Sequence, residues 1–316
     1  MTTRQEAILT VTLNPALDLS ARVPRMIAGP KLRLEDTSYE PGGGGVNVAR
    51  AITLLEGKAL AWVALAGVSG AQHLGLLQAQ AVSVHEFQAP GATRQSWAIM
   101  DDDGQQYRLQ LPGAQWDTPL ESAALDDIVA QAEGLVVLSG SQPPGVDPDF
   151  PKALARCLGP ARLIVDTSGP ALRQLHDTPD PQARPFMLRL DQAEAEALAG
   201  QPLTHSAQTV AFAHSLLGSG VAEFLCVARG AEGSVLVGPD VSYHCIPPQV
   251  DVISKVGAGD SFTGAFTLSL ARGEAPVEAL RFGTAAAAAA VMTPGTELCR
   301  PQDVKKLLAA CTMIDA

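Results

Sequence analysis

Short apolar runs, largely of branched residues, alternate along this chain with longer stretches of helical spacing, and that alternation limits the fold more than any other feature. The runs are Ile8–Leu13, Leu135–Ser139, Leu163–Asp166, Met187–Leu190 and Phe224–Ala228. Each has the length of a strand covered on both faces, where no polar side is left to alternate with the apolar one. Between them lie Asn47–Leu55, Gln72–Ala81, Ala193–Ala199 and Ser206–Leu217, which read as helices. Strand and helix in alternation predict an α/β fold with a mainly parallel sheet and right-handed crossovers. Two stretches break the pattern, approximately 18–40 and 94–111. In the second, Ser96–Met100 and Gln106–Leu109 flank Asp101-Asp102-Asp103-Gly104 and read as a hairpin. Together the two stretches predict a small antiparallel sheet projecting from the main layer, a lid or a dimer surface. The run Ala285–Ala290 reads as a helix packed closely on a neighbour.

The chain of 316 residues shows no repeat or linker, so one domain over 1–316 carrying that lid is expected. Its net charge of −11 gives no general attraction to nucleic acid or to an anionic membrane, and an anionic ligand would need a local basic pocket. The five cysteines are scattered, with no metal-ligand spacing, which predicts reduced thiols in a cytoplasmic protein. The first residues lack the features of a signal peptide. The uncharged stretch from Ala59 to His85 is interrupted by glycines and polar residues, which argues against a membrane span.

The most informative segment is Lys255-Val256-Gly257-Ala258-Gly259-Asp260, which leads into the apolar stretch Phe266–Ala271. It reads as a loop opening a helix. Unpaired amides at a helix start form a phosphate site, and Asp260 at its mouth is placed to take the proton of an attacking hydroxyl; it also reads as a cap after a glycine turn. A second segment runs Gly42-Gly43-Gly44-Gly45-Val46-Asn47, where the backbone can approach a ligand and Asn47 offers a polyol both donor and acceptor. It matches neither a dinucleotide fingerprint nor a Walker A loop. Ser139-Gly140-Ser141 follows a strand, and Asp18 lies just past another, where open α/β sheets place ligands.

Taken with Thr12–Asp18 and Thr93-Arg94-Gln95, these segments resemble the ribokinase-like, PfkB-type carbohydrate kinases, from about Ile8 to Leu308 and in the same order. The resemblance implies a three-layer α/β/α domain with a small β-sheet lid that also builds a homodimer. It implies transfer of the γ-phosphate of ATP, with Mg²⁺, to a phosphorylated ketohexose. Asp260 would be the base, with Gly257, Ala258 and Gly259 as the anion hole. Asp18, Gly43, Asn47 and Ser139 would hold the sugar, and Lys31 and Arg94 its phosphate. On the nucleotide side Arg189, Asp191, Ala228, Gly230, Gly233 and Lys255 take the matched positions, with Asp191 and Glu194 toward the metal. Fructose 6-phosphate is the first candidate acceptor, because kinases of fructose 1-phosphate usually carry a Lys within the glycine loop. Tagatose 6-phosphate and fructose 1-phosphate stay open.

The departures from the family fall on the nucleotide side. Arg189 and Asp191 stand where Lys and Asn are usual, Lys255 where Thr is usual, and Ala228 where Ser is usual. Two readings follow: a working kinase whose added Lys255 balances its added Asp191, or a sugar-phosphate-binding protein with little turnover. A kinase of an unphosphorylated sugar or nucleoside is a third reading, which the Lys31 and Arg94 pair disfavours.

Overall fold

A computed structural model describes residues 5–159 and 161–316 of the chain. The chain enters through β1 (Ile8–Thr12), buried along its whole length. It leaves the main layer for β2 (Ala16–Val23) and β3 (Glu35–Gly42), and returns through α1 (Gly44–Leu54), β4 (Leu60–Leu65), α2 (Gly67–Ala79) and β5 (Ser83–Gln88). A second excursion makes the hairpin β6 (Arg94–Asp101) and β7 (Gln106–Gln110). The alternating body follows: α3 (Thr118–Gln131), β8 (Leu135–Ser139), α4 (Phe150–Cys157), β9 (Arg162–Asp166), α5 (Gly169–Asp177), β10 (Met187–Leu190), α6 (Gln192–Ala199), α7 (Ser206–Ser219) and β11 (Phe224–Ala228). The chain closes with β12 (Ser234–Gly238), β13 (Val241–Ile246), α8 (Ala258–Ala271), α9 (Pro276–Ala290), α10 (Pro301–Ala310) and β14 (Thr312–Asp315).

The ten-stranded sheet runs β14-β13-β12-β11-β10-β9-β8-β1-β4-β5. It is parallel from β11 to β5 and antiparallel beyond β11. Helices cover both faces. On one, Ile128, Leu154, Leu172, Ala195 and Leu216 pack against the strands; on the other, Ile52, Phe262, Phe266, Leu280 and Ala289 do so. The alanine run therefore does sit in a helix pressed against its neighbours. No helix is long and apolar enough to cross a membrane, among the described residues.

The five apolar runs are strands within a residue or so of their expected bounds. The small sheet departs from expectation in one respect. Its order is β3-β2-β6-β7, and β2 pairs with β6 in parallel, so it is mixed rather than antiparallel. The reason is topological: β2 and β6 both leave the main sheet from the C-terminal ends of its strands, and so set out in the same direction. The stretch Ala59–His85 holds β4, α2 and most of β5.

The chain visits β1, then β4 and β5 on one side, then β8 to β11 on the other, so the order reverses between β1 and β8. Ligands of open α/β sheets sit at such a reversal, beyond the strands' carboxyl ends. The glycine loop before α1 lies there. Gly43 has φ 119°, and a Cβ on it would stand 2.7 Å from Thr12 Cγ2 and 3.1 Å from Pro15 Cα. No other residue fits both the backbone and the space. Further along, α1 and α8 approach closely at Gly264, where a Cβ would lie 2.9 Å from Ala51 Cβ and 3.0 Å from the Val48 carbonyl.

Gly264→Ala should therefore destabilise the fold by about 1–3 kcal/mol despite its gain in helix propensity. Gly218→Ala, on α7 with nothing within 4 Å of the new methyl, should stabilise by about 0.5–1 kcal/mol. Urea midpoints of the two variants, shifting in opposite directions at unchanged slope, check the pair.

Candidate active site

Three segments converge at the reversal. Gly257, left-handed at φ 77°, caps α8, and the amides of Ala258, Gly259 and Asp260 begin the helix without intrahelical partners. Asp260 Oδ2 accepts a hydrogen bond of 2.9 Å from Asn47 Nδ2, in the first turn of α1. Behind it stand Asp166 at the end of β9 and Arg189 on β10. Arg189 Nη1 donates to both Asp166 oxygens at 3.1 and 3.3 Å, and Thr263 Oγ1 donates to Asp166 Oδ2 at 3.0 Å. Burial and the negative Asp166 push Asp260 up to about 7, opposed by the Asn47 hydrogen bond and by Arg189 and Arg50. A carboxyl with that value is poised to accept a proton at neutral pH.

Asp260 looks into a cavity of about 750 Å³ roofed by the small sheet. Asp18, Gly43, Asn47, Arg94, Ser96, Arg108 and Gln110 line it, and Lys255 and Gly257 complete its rim. Asp18 lies on Gly42, where any Cβ would meet its carboxylate at 2.0 Å. Burial pushes Asp18 up to about 6 against the pull of Arg94. His73 fixes the same turn: its ring lies 3.0 Å from the Gly42 carbonyl, which only accepts, so Nε2 carries the proton. Burial holds His73 down to about 4, and the ring is neutral.

Of the residues singled out from sequence, the structure brings Asp18, Gly43, Asn47, Arg94, Gly257, Asp260 and Lys255 around this one cavity. Lys255, matched by sequence to the nucleotide side, faces the same space as Asp18 and Arg94. Two others do not reach it. Ser139 is buried behind the glycine loop, its hydroxyl 2.4 Å from where a Cβ of Gly44 would stand, while Ser141 lines an adjoining cavity of about 570 Å³ and accepts from Asn14 Nδ2 at 3.1 Å. Lys31 is exposed on the loop between β2 and β3, away from the cavity lining. Arg108 is a lining residue that the sequence reading passed over. Its signal was the period of two along β7, which puts Gln106, Arg108 and Gln110 on one face.

The remaining residues lie on the far side of the α8 start. Arg189 links the two sides: a Cβ on Gly259 would touch its guanidinium at 2.9 Å. Asp191 caps α6 in a reciprocal box with Glu194. The Glu194 amide donates to Asp191 Oδ1 at 2.8 Å, and the Asp191 amide to Glu194 Oε2 at 2.9 Å. Burial pushes Glu194 up to about 7, so a cation beside it would favour its ionised form. Ala228 ends the neighbouring strand β11, and Gly230 and Gly233 flank the turn that follows. Arg229 pins that turn through Glu232, Thr209 and the Leu203 carbonyl. Among the described residues no group of three or more His, Cys, Asp or Glu is arranged to hold a metal.

The ionised Asp260 is disfavoured by the fold, which gives a test with a definite sign. Because its pKa in the folded protein is raised, its favourable contribution is complete below about pH 4 and is lost as the pH rises through about 7. Asp260→Asn should therefore be more stable than the parent by about 2–4 kcal/mol at pH 8, with the difference shrinking toward pH 4; chemical denaturation across that range measures it.

Comparison with known proteins returns a consistent answer. The model of the pfkB family carbohydrate kinases matches residues 12–303. The ATP-dependent 6-phosphofructokinase isozyme 2 of Escherichia coli is 36% identical over 310 residues, covering 96% of this chain and 98% of that protein. The isozyme 2 of Mycobacterium tuberculosis is 33% identical, over 95% of this chain and 88% of its own. The 1-phosphofructokinase of Rhodobacter capsulatus is 32% identical, over 97% of each. Among solved structures, phosphofructokinase-2 from Escherichia coli in complex with fructose-6-phosphate superposes with a TM-score of 0.87 at 34% identity, covering 96% of this chain and 99% of that one.

Proposed function

The chain belongs to the PfkB family of carbohydrate kinases, and we propose that it transfers the γ-phosphate of ATP to the C1 hydroxyl of fructose 6-phosphate, giving fructose 1,6-bisphosphate. The observation that carries the acceptor class is charge. In a chain of net charge −11, Arg94, Arg108 and Lys255 surround one cavity and none of them forms an ion pair, among the described residues. Unpaired cations grouped around a polar cavity suit a sugar that already bears a phosphate. A free sugar or a nucleoside would leave them without a partner. The proteins named 6-phosphofructokinase isozyme 2, at up to 36% identity, support the 6-phosphate over the 1-phosphate.

In the reaction Asp260 takes the proton of the C1 hydroxyl as its oxygen attacks the γ-phosphorus and ADP leaves. Asn47 holds Asp260 Oδ2, which leaves Oδ1 to act as base. The amides of Ala258 and Gly259, with the α8 dipole behind them, face the charge that builds on the transferring phosphoryl group. Asp18, beneath the roof, accepts hydrogen bonds from sugar hydroxyls and so orients C1. Arg94 and Arg108 bind the 6-phosphate.

On the donor side, ATP lies over the ends of β10 and β11. Asp191 and Glu194 fit Mg²⁺: they offer hard oxygens, and the capping box leaves Asp191 Oδ2 and Glu194 Oε1 with no protein partner among the described residues. The ion, when bound, neutralises polyphosphate charge. Arg189 holds Asp166 behind the anion hole, and Lys255 adds a cation at the boundary between the two substrates. This arrangement favours a working kinase over a binding protein.

The small sheet supports assembly as a homodimer. Its polar face roofs the cavity, while Tyr39, Leu109 and Leu111 leave apolar surface exposed, the usual sign of a docking face. Four of the five cysteines are buried and all are free, in keeping with a reducing compartment such as the cytoplasm.

A coupled assay of ADP release from MgATP should show turnover with fructose 6-phosphate exceeding that with tagatose 6-phosphate or fructose 1-phosphate. Asp260→Asn should lose about 10³-fold or more in kcat. Arg108→Ala should raise KM for the sugar phosphate about tenfold and leave that for ATP within about twofold. Turnover greatest with fructose 1-phosphate would make this a 1-phosphofructokinase. Sugar-phosphate binding without turnover would make it a binding protein.

A further inference from the structure

Arg50 makes four side-chain hydrogen bonds beside the site, and although it does not itself line the cavity it contacts Asn47, which does. It lies on α1 with 8% of its surface exposed. Its guanidinium donates from Nε to Gln80 Oε1 at 2.7 Å, from Nη1 to the Pro41 carbonyl at 3.1 Å and to Asn47 Oδ1 at 3.0 Å, and from Nη2 to Glu40 Oε2 at 3.2 Å. Glu40, on β3 of the small sheet opposite Asp18, also accepts from Thr296 Oγ1 at 2.6 Å, in the segment after α9. A continuous set of contacts thus runs Thr296, Glu40, Arg50, Asn47, Asp260.

The chemistry of the middle link fixes the end one. Arginine is a donor at every nitrogen and has no acceptor. The amide atom of Asn47 that faces Arg50 must therefore be its oxygen, and the atom that faces Asp260 must be its nitrogen. An asparagine between a titratable carboxyl group and a neutral neighbour has two usable orientations, its nitrogen toward the ionised acid or its oxygen toward the protonated one; a buried arginine on the other side leaves only the first.

We propose that Arg50 is a positioning residue for the phosphoryl-transfer reaction, locking the Asn47 amide so that it donates to Asp260 and keeps that carboxylate ionised, oriented and available as the base. The proposal rests on Asp260 serving as base, as argued above. It extends to Glu40, which places the same guanidinium in contact with the roof of the cavity, so the small sheet and the base are held by one side chain. Without Arg50 the Asn47 amide is free to turn its oxygen to Asp260, an arrangement that only the protonated acid tolerates. The other charged groups around Asp260 do not replace this control. Asp166 on β9 raises it more than Arg189 on β10 lowers it, the Arg50 charge adds a smaller lowering of its own, and Lys255, Asp18, Arg94 and Arg108 lie around the cavity.

Arg50→Met removes the enforcing donors, Arg50→Gln replaces them with an amide that can either donate or accept and disturbs a buried site less, and Arg50→Lys restores a donor-only group. For each, kcat and KM for fructose 6-phosphate are measured between about pH 5.5 and 9, and the Asp260 carboxyl carbon is titrated by NMR in the ligand-free protein, with Asp260→Asn to assign the signal. The expected result in the Met and Gln variants is an acid limb and a carboxyl midpoint displaced upward by about one pH unit. That corresponds to about a tenfold loss of kcat at pH 7 that recovers toward pH 9, with KM changed less than about threefold. Arg50→Lys should return most of the way to the parent midpoint. A loss of kcat equal at every pH, with the carboxyl midpoint unmoved, would reduce Arg50 to a structural residue and overturn the proposal. If the parent turns over no fructose phosphate, the functional reading falls instead. The carboxyl titration then still decides whether Arg50 governs Asp260.

Discussion

One hydrogen bond, from Asn47 Nδ2 to Asp260 Oδ2 at 2.9 Å, joins the first turn of α1 to the first turn of α8, and the rest of the site is arranged around it. For two helix starts to meet there, the helices must lie against each other almost without side chains between them, which Gly264 permits. The glycine loop must also turn into α1 under β1 and β8, which Gly43 permits. The carboxylate so held is partly stripped of water and faces a second acid, Asp166. Its raised pKa is therefore a product of packing, and the fold gives up stability at neutral pH to hold there the carboxylate proposed as the base.

The same contact organises the charges. Behind Asp260 the Arg189–Asp166 pair closes the site from the core, an ion pair whose members would each be costly to bury alone. In front, three unpaired cations surround the acceptor cavity. Behind and in front differ in kind: the inner pair is neutralised and holds geometry, whereas the outer cations are free to meet a ligand. Lys255 belongs to the outer set, standing where the acceptor cavity meets the α8 start. Its position in space, more than its place in the sequence, is what puts it at the boundary of the two substrates in the proposed reaction.

Much of this was legible in the chain. The five apolar strands were readable because parallel strands buried on both faces carry no competing polar pattern, and the loop ending in Asp260 was readable because its glycines precede an apolar helix. What escaped has physical causes. The edge strands β5 and β14, and β13 beside the latter, alternate with polar residues or are very short, so they carry little signal. The parallel pairing of β2 with β6 is a fact of topology that no local pattern encodes. Ser139 and Ser141 differ by two positions on a strand that has just ended, and only the turn decides which of them reaches solvent. Arg50 carries no signal in the sequence because its four acceptors come from β3, α1 and the end of α2, brought together only by folding.

The central claim is that a sugar phosphate binds beneath the small sheet with its reacting hydroxyl on Asp260. A crystal structure with fructose 6-phosphate and a non-hydrolysable ATP analogue tests it most directly. The account predicts the C1 oxygen about 3 Å from Asp260 Oδ1, the 6-phosphate at Arg94 and Arg108, and the γ-phosphate against the amides at the start of α8. A sugar phosphate seated instead in the adjoining cavity beside Ser141, or turned so that its phosphate meets Asp260, would contradict it.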